Sequence, residues 1–328
     1  MIAPSIHTDD SAAPDVTVIV VNYNTEHLLD RMFASLEASR GALRLQVIVV
    51  DNASRDRSVE KLRTDYPNVE LIENSANVGF ARANNQAVPR VRGRYVLLLN
   101  TDAFVSPDTL TKTVEFMDGN PRCGVLGVKL VGESDGLQPS CRYFPTPWNV
   151  FVASNGLQRL FPSTRLVDDM TWDHASVREC DWVPGCYYLI RREVIDQVGL
   201  FDPRYFLYQE EVDHCRAVKS AGWSVVYYPF TKVIHIGGES AGSIGPINRV
   251  SRQISAYQTE SELLYFRKHY GISGVLAAIF LGLLSDLLRI GSGLLRHSDK
   301  VRVSTAFQHM RTLLQRLIAT RWGLQPTQ

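Results

Sequence analysis

The regular part of the chain opens with VTVIVV at residues 16–21, an apolar, β-branched run without polar alternation. Such a run predicts a strand buried on both faces of a sheet. Polar residues 22–26 follow, and then Leu28, Leu29, Met32, Phe33 and Leu36 recur at helical spacing. The unit repeats: VIVV at 47–50 ends in Asp51-Asn52-Ala53-Ser54-Arg55-Asp56, helical residues run to about Arg63, and VELI at 69–72 is a third strand. After Asn77-Val78-Gly79-Phe80, a small-residue helix over 81–88 leads into VLLL at 96–99, which stops at Asn100-Thr101-Asp102. Strands alternating with helices through short connections predict an α/β fold, its sheet mostly parallel and flanked by helices on both faces. Ser106-Pro107 reads as the cap and first position of a helix over 108–118, and residues 125–131 as another strand.

Between residues 132 and 181 periodicity fades and Pro, Trp and Arg become prominent, the pattern of a lid or acceptor loop. Regularity returns with a strand over 185–190, a turn at 199–203, a helix over 210–221, and edge-type strands at 224–228 and 232–236. The last third is helical. Residues 249–270 mix polar and apolar positions and 272–295 are mostly apolar, while 301–322 set Phe307, Met310, Leu314, Leu317 and Ile318 to one side, with Arg311, Arg316 and Arg321 among the rest. At about 1.5 Å per residue the apolar segment could cross a bilayer, but Asp286 in its interior makes spanning costly. An amphipathic pair lying on an anionic membrane surface is the expectation, with a helical cap or a dimer interface as the alternative. The domain reading is a disordered leader at 1–15, a catalytic domain at 16–248 and a C-terminal helical, membrane-associating region at 249–328.

Composition narrows the function. Lys plus Arg number 35 against 34 Asp plus Glu, which gives no case for a nucleic-acid partner. Five cysteines lack C-x-x-C spacing, which argues against a disulfide framework and a zinc site and fits a reducing compartment. The first residues carry neither a basic region nor an apolar core of signal-peptide length. No G-x-G-x-x-G or P-loop follows the first strand, so neither a dinucleotide site nor a nucleotide-triphosphate loop is supported.

Acids and amides instead recur at strand ends: Asn22 and Asn24, Asp51 and Asp56, Asn77, Asp102. In a parallel sheet these ends are neighbours and line one polar crevice, although any one of them could be a cap or turn residue. A second cluster, Glu210, Glu211 and Asp213, follows the aromatics Phe201, Tyr205 and Phe206, which could wall a pocket and raise a carboxylate's proton affinity. His235 lies within an apolar run, where a histidine is more often a core residue, but Gly237 and Gly238 after it favour close approach of a ligand. Trp148, Trp172 and Trp182 either stack on sugar faces or anchor the core, the latter favoured for Trp182.

In order and spacing, NYN at 22–24, DNAS-x-D at 51–56, NVGFA-x-ANN at 77–85, LLLNTDA at 97–103, the segment 199–217 and IHIGGES at 234–240 resemble the inverting family 2 glycosyltransferases with the GT-A (nucleotide-diphospho-sugar transferase) fold. Within these the resemblance is to bacterial rhamnosyltransferases of cell-wall and O-antigen assembly. It implies that Asp51 recognises the nucleotide base, that Asn22, Asn24, Asn77, Asn100 and Thr101 line the nucleotide site, and that Asp102 and His235 hold a divalent metal, Mg2+ or Mn2+. Glu211 falls at the catalytic base, with Glu210, Asp213 and Trp182 as supporting or acceptor-contacting residues. Asn100 replaces the first acid of the D-x-D metal motif, so weak metal binding without nucleotide is expected, and Glu211 replaces the usual Asp, which keeps the carboxylate but lengthens its reach by one methylene. The implied reaction moves a 6-deoxyhexose, L-rhamnose from dTDP-rhamnose, onto a polyprenyl-diphosphate-linked saccharide at the cytoplasmic face of the plasma membrane, the protein being peripheral. A UDP-hexose or galactofuranose transferase, or a non-catalytic membrane-bound scaffold, is the alternative.

Overall fold

The computed structural model describes residues 13–237, 247–295 and 300–328, with side chains described over 13–237, 256–293 and 303–328. The expected leader lies, through residue 12, outside the described residues. By its contacts the chain divides into two compact units, one comprising residues 1–142, 170–203 and 210–245, the other 143–169, 204–209 and 246–328. Part of the irregular middle segment thus groups with the C-terminal helices.

The first unit is built on a sheet of strands β1 (Val16–Asn22), β2 (Leu45–Asp51), β3 (Glu70–Glu73), β4 (Tyr95–Leu99), β5 (Ala103–Val105), β6 (Cys123–Val131), β7 (Leu137–Gln138), β8 (Arg178–Glu179), β9 (Tyr187–Arg191) and β10 (Ser224–His235). Its order is β3-β2-β1-β4-β9-β6-β10-β5, with β7 added to β6 and β8 to β10. The half from β3 to β4 is parallel, as the strand–helix alternation predicts. Beyond it β9 runs antiparallel to both β4 and β6, so the sheet as a whole is mixed.

β1, β2 and β4 are buried almost end to end because helices cover both faces. Val16, Val18, Val20, Val47 and Val49 share a core with Leu29, Met32, Phe33 and Leu36 of α1 (Glu26–Ser39). α2 (Ser58–Asp65) follows β2, and α3 (Phe80–Ala87) packs on β1 and β2 through Ala81, Ala83 and Ala87, whose small side chains let helix and sheet approach closely. α4 is Thr109–Gly119, and the Ser106 hydroxyl, expected as its cap, donates instead to the Lys232 carbonyl.

The two expected edge strands are one strand, β10, lying between β6 and β5. A register shift between Tyr228 and Lys232 accommodates Pro229, which cannot donate to the ladder, and the break looks like two short strands in sequence. α6 (Arg192–Val198) and α7 (Glu210–Ser220) complete this unit.

The second unit contains α5 (Pro147–Ser154), closed by a capping box between Thr146 and Asn149, with α8 (Ile247–Leu295) and α9 (Lys300–Ala319). α8 is broken at Gly271, whose φ of 65° and ψ of −159° no L-residue adopts comfortably. The second arm folds back on the first, so that Leu263, Val275 and Leu317 form one core. Glu260 fastens the chain end, accepting from Arg316 and from the Thr327 amide and hydroxyl.

Candidate active site

Parallel pairing sets Asn22, the last residue of β1, beside Asp51, the last of β2. Both side chains are buried. Asn22 Nδ2 donates to Asp51 Oδ2 at 2.7 Å and to Ser54 Oγ at 3.0 Å, and the Ser54 amide donates to Asp51 Oδ1 at 2.9 Å. Each carboxylate oxygen keeps lone pairs for a ligand N–H while the network holds it still. Asn24 and Ala53 take left-handed φ angles of 54° and 67°, which turn the two loops toward each other, and Asn24 closes them by receiving the Arg55 amide on Oδ1. Asn77 accepts from Asn52 Nδ2 at 2.8 Å and so props the loop after β3 rather than pointing at the other site groups. Thr25 Oγ1 sits 2.7 Å from Asn22 Oδ1 and 3.0 Å from Thr101 Oγ1, connecting this pocket to the turn after β4. Ser54, Asn52 and Thr25 were not singled out in the sequence, where Ser, Thr and Asn in loops read as ordinary turn residues.

That turn is pinned by two main-chain bonds, Asn100 N–H to the Cys186 carbonyl and Ala103 N–H to the Asn100 carbonyl. They present Asp102, 4% exposed, opposite His235, whose Nε2 lies 3.7 Å from Asp102 Oδ1. β5 pairs antiparallel with β10 and registers His235 with Ala103, which brings together residues far apart in sequence. Gln138 fixes a proton on Nδ1: its Nε2 donates to the His235 carbonyl at 2.8 Å, so its Oε1, 3.0 Å from His235 Nδ1, receives the N–H there. In a neutral ring the Nε2 lone pair would face a carboxylate oxygen. Two acceptors at that separation fit a shared hard cation, one oxygen and one nitrogen ligand. No group of three or more His, Cys, Asp or Glu that could hold a metal occurs among the described residues. A cation here would therefore complete its shell with ligand oxygens or water.

Glu211 stands in the first turn of α7, and Tyr208 and Gln209 just ahead of it both take left-handed φ angles, 71° and 70°. Burial pushes its carboxyl above the ordinary glutamate range, against the backbone N–H groups of Glu211, Gly185 and Val212 and the charge of Arg142. Its Oε2 has no hydrogen-bond partner among the described residues. A desolvated oxygen with a free lone pair and raised proton affinity has what a general base requires. Asp102 and Glu211 both drive the buried Cys186 thiol upward, after desolvation, so the two carboxylates share one neighbourhood around the start of β9.

Glu210 and Asp213 are buried on the same helix, each 4% exposed. Behind them His214 Nε2 donates to the Gly199 carbonyl and Nδ1 accepts from Tyr188, and desolvation lowers this imidazole to about 4, so it stays neutral and anchors α7. Trp182 is a core anchor, with the Arg142 guanidinium 4.2 Å above its ring. Arg142, whose charge acts on Glu211, is a candidate that sequence reasoning missed. Its only trace there is the CRYFPTPW stretch, in which no periodicity assigns it a direction. Trp172 stacks on His174 and does not join the cluster, while Trp148 belongs to the other unit and donates to Thr164.

The model of the family described as "Glycosyl transferase family 2" matches residues 17–169. The N-acetylglucosaminyl-diphospho-decaprenol L-rhamnosyltransferase of Mycobacterium tuberculosis is 30% identical over 251 residues, spanning 69% of this chain and 77% of that protein. This chain belongs to glycosyl transferase family 2. Rhamnosyltransferase WbbL of Escherichia coli is 24% identical over 229 residues, 67% of this chain and 83% of that one. Among solved structures, the Pyrobaculum calidifontis mannosyltransferase PcManGT, in complex with GDP-Man and Mn2+, superposes with a TM-score of 0.55 at 17% identity, covering 97% of this chain and 90% of that chain. At that identity the likeness speaks for the fold, which is GT-A. Within this family 2 glycosyltransferase the matched segment contains Asp51 and Asp102 and ends before Glu211 and His235. The latter two are joined to the former by the register of β10 on β5 and by the Cys186 neighbourhood.

Proposed function

We propose that this protein is an inverting, divalent-metal-dependent rhamnosyltransferase that moves L-rhamnose from dTDP-rhamnose to a polyprenyl-diphosphate-linked saccharide. The observation that carries the reading is the Glu211 carboxylate, its Oε2 shut off from water, without a hydrogen-bond partner among the described residues, and acting together with Asp102 on the same Cys186 thiol. In this scheme Asp51 accepts the imide N–H of thymine, held in place by Asn22 and Ser54. Asp102 and His235 Nε2 would hold the cation, which would supply positive charge to the donor diphosphate. Glu211 Oε2 takes the proton of the acceptor hydroxyl as that oxygen bonds the anomeric carbon and the bond to the diphosphate breaks on the opposite face. The configuration inverts and thymidine diphosphate leaves. The lipid-linked acceptor follows the relatives named for rhamnosyl transfer, one of them to N-acetylglucosaminyl-diphospho-decaprenol. Peripheral membrane contact at the cytoplasmic face, through α8 and α9, agrees with the exposed Ile272, Leu276, Phe280, Phe307, Leu314 and Ile318.

The test is a donor screen with the full chain and Mn2+ or Mg2+, in which dTDP-rhamnose, UDP-hexoses and UDP-galactofuranose compete for slow hydrolysis and for transfer. Uridine diphosphate displacing thymidine diphosphate by calorimetry moves the assignment to a UDP-sugar. A Glu211→Gln variant that transfers at the wild-type rate removes Glu211 from the mechanism, and no turnover with any donor leaves the non-catalytic scaffold.

A further inference from the structure

The turn that ends α9 is unusual. Arg321, Trp322 and Gly323 take successive left-handed φ angles of 49°, 62° and 73°. Two of the three are not glycine, and each such residue strains the backbone. The conformation is held by Trp322 N–H to the Leu317 carbonyl, Leu324 N–H to the Thr320 carbonyl, and Gly323 N–H to Thr320 Oγ1. Gly323 must be glycine, because a Cβ there would lie 2.4 Å from the Leu263 carbonyl oxygen and 2.9 Å from Arg267 Cβ. So much constraint would ordinarily bury what it positions. Instead it leaves Trp322 47% and Leu324 56% exposed.

These two side chains, with Ile272 and Leu276 from the start of the second arm of α8, floor a shallow apolar groove flanked by Arg267 and Arg321. Among the described residues neither guanidinium has an ion-pair partner, whereas Arg316 is held by Glu260 and Arg289 by Asp286. No acidic residue lines the groove. The apolar floor continues along both helices, through Phe280 and Leu287 on one and Ile318, Leu314 and Phe307 on the other.

We propose that this groove is the point at which the protein docks on an anionic phospholipid, Arg267 and Arg321 taking the phosphate and Trp322, Leu324, Ile272 and Leu276 entering the acyl boundary. The proposal deepens the membrane contact described above and rests on it. The occupant follows from charge: two unpaired guanidiniums beside an apolar floor repel a second copy of the same groove and match a headgroup that joins an anion to a hydrocarbon chain. An indole at the edge of such a floor suits the headgroup level, where one end of the side chain is apolar and the other wet. The pinned turn keeps these groups presented without ordering on contact.

Co-sedimentation of the full chain with vesicles of phosphatidylglycerol or of phosphatidylcholine, without any sugar donor, tests this. Wild type binds the first and not the second. Removing both charges in Arg267→Gln/Arg321→Gln weakens binding to phosphatidylglycerol about 30-fold, from the usual contribution of an arginine near an anionic surface. Quenching by brominated acyl chains drops in Trp322→Phe, which keeps the aromatic volume. Transfer to a short-chain, water-soluble acceptor analogue stays at the wild-type rate in both variants, which separates a docking defect from a failed reaction assignment. Equal binding to both lipids, an unchanged double variant, or a wild-type dimer that the double variant dissociates without change in vesicle binding overturns the proposal.

Discussion

Glu262 gives the most quantitative prediction. It lines a cavity of about 230 Å³ in the helical unit, together with Gln258, Ser285, Arg289 and His309. Desolvation raises its carboxyl from 4.5 to about 7, with His309 and a hydrogen bond from Gln258 opposing the rise only partly. The sign follows from linkage. Below pH 4.5 folded and unfolded chains both carry the proton and the residue is neutral to stability. Between pH 4.5 and 7 the unfolded chain ionises first, so stability falls as pH rises, and above 7 the full loss remains. At about 1.4 kcal/mol per unit, this shift corresponds to at most about 3.5 kcal/mol. Glu262 retains partial accessibility, which reduces the expected value to about 1–2 kcal/mol. Glu262→Gln keeps the shape and removes the titration. Its melting temperature should therefore equal that of wild type at pH 4 and exceed it by about 1.5–3 °C at pH 8, read by scanning calorimetry of the full chain. A variant stabilised equally at both values, or destabilised at pH 8, refutes the assignment of a half-buried, reluctantly ionised carboxyl.

Glu211→Gln should lower kcat by about 10²–10⁴-fold, as loss of a general base does, while leaving metal-dependent binding of thymidine diphosphate unchanged by calorimetry. Asp102→Asn should raise the Mn2+ concentration needed for half-maximal nucleotide binding at least tenfold. His235→Gln should do so less, because a neutral donor is lost rather than a charge. Asp51→Ala should weaken thymidine diphosphate binding by about 1.5–3 kcal/mol, the worth of a hydrogen bond to a charged acceptor, and flatten discrimination among nucleotides in the same titration. Gly323→Ala should destabilise the chain by more than about 1 kcal/mol in urea titration, since its φ is positive and the added Cβ meets a carbonyl.

The parallel half of the sheet could be read directly from the chain, because a strand buried on both faces must be apolar throughout and α1 must repeat its apolar side chains at 3.6 residues. Asp51 and Asp102 could be named as candidates for the same reason: each ends such a run, and the fold rule puts those ends together. Glu211 and His235 could be named only through the spacing of motifs, since their strands and helix carry no periodic sign of what faces them. Tertiary structure alone decided that β5 pairs with β10, that Gln138 fixes the proton on His235, and that Arg142 and Cys186 lie within the field of Glu211. Antiparallel insertion of β9 into the sheet and the break of α8 at Gly271 belong to the same class. Local sequence encodes which face of an element avoids water. Which elements then meet depends on contacts between residues far apart in the chain, and their energies appear only once the chain has closed upon itself.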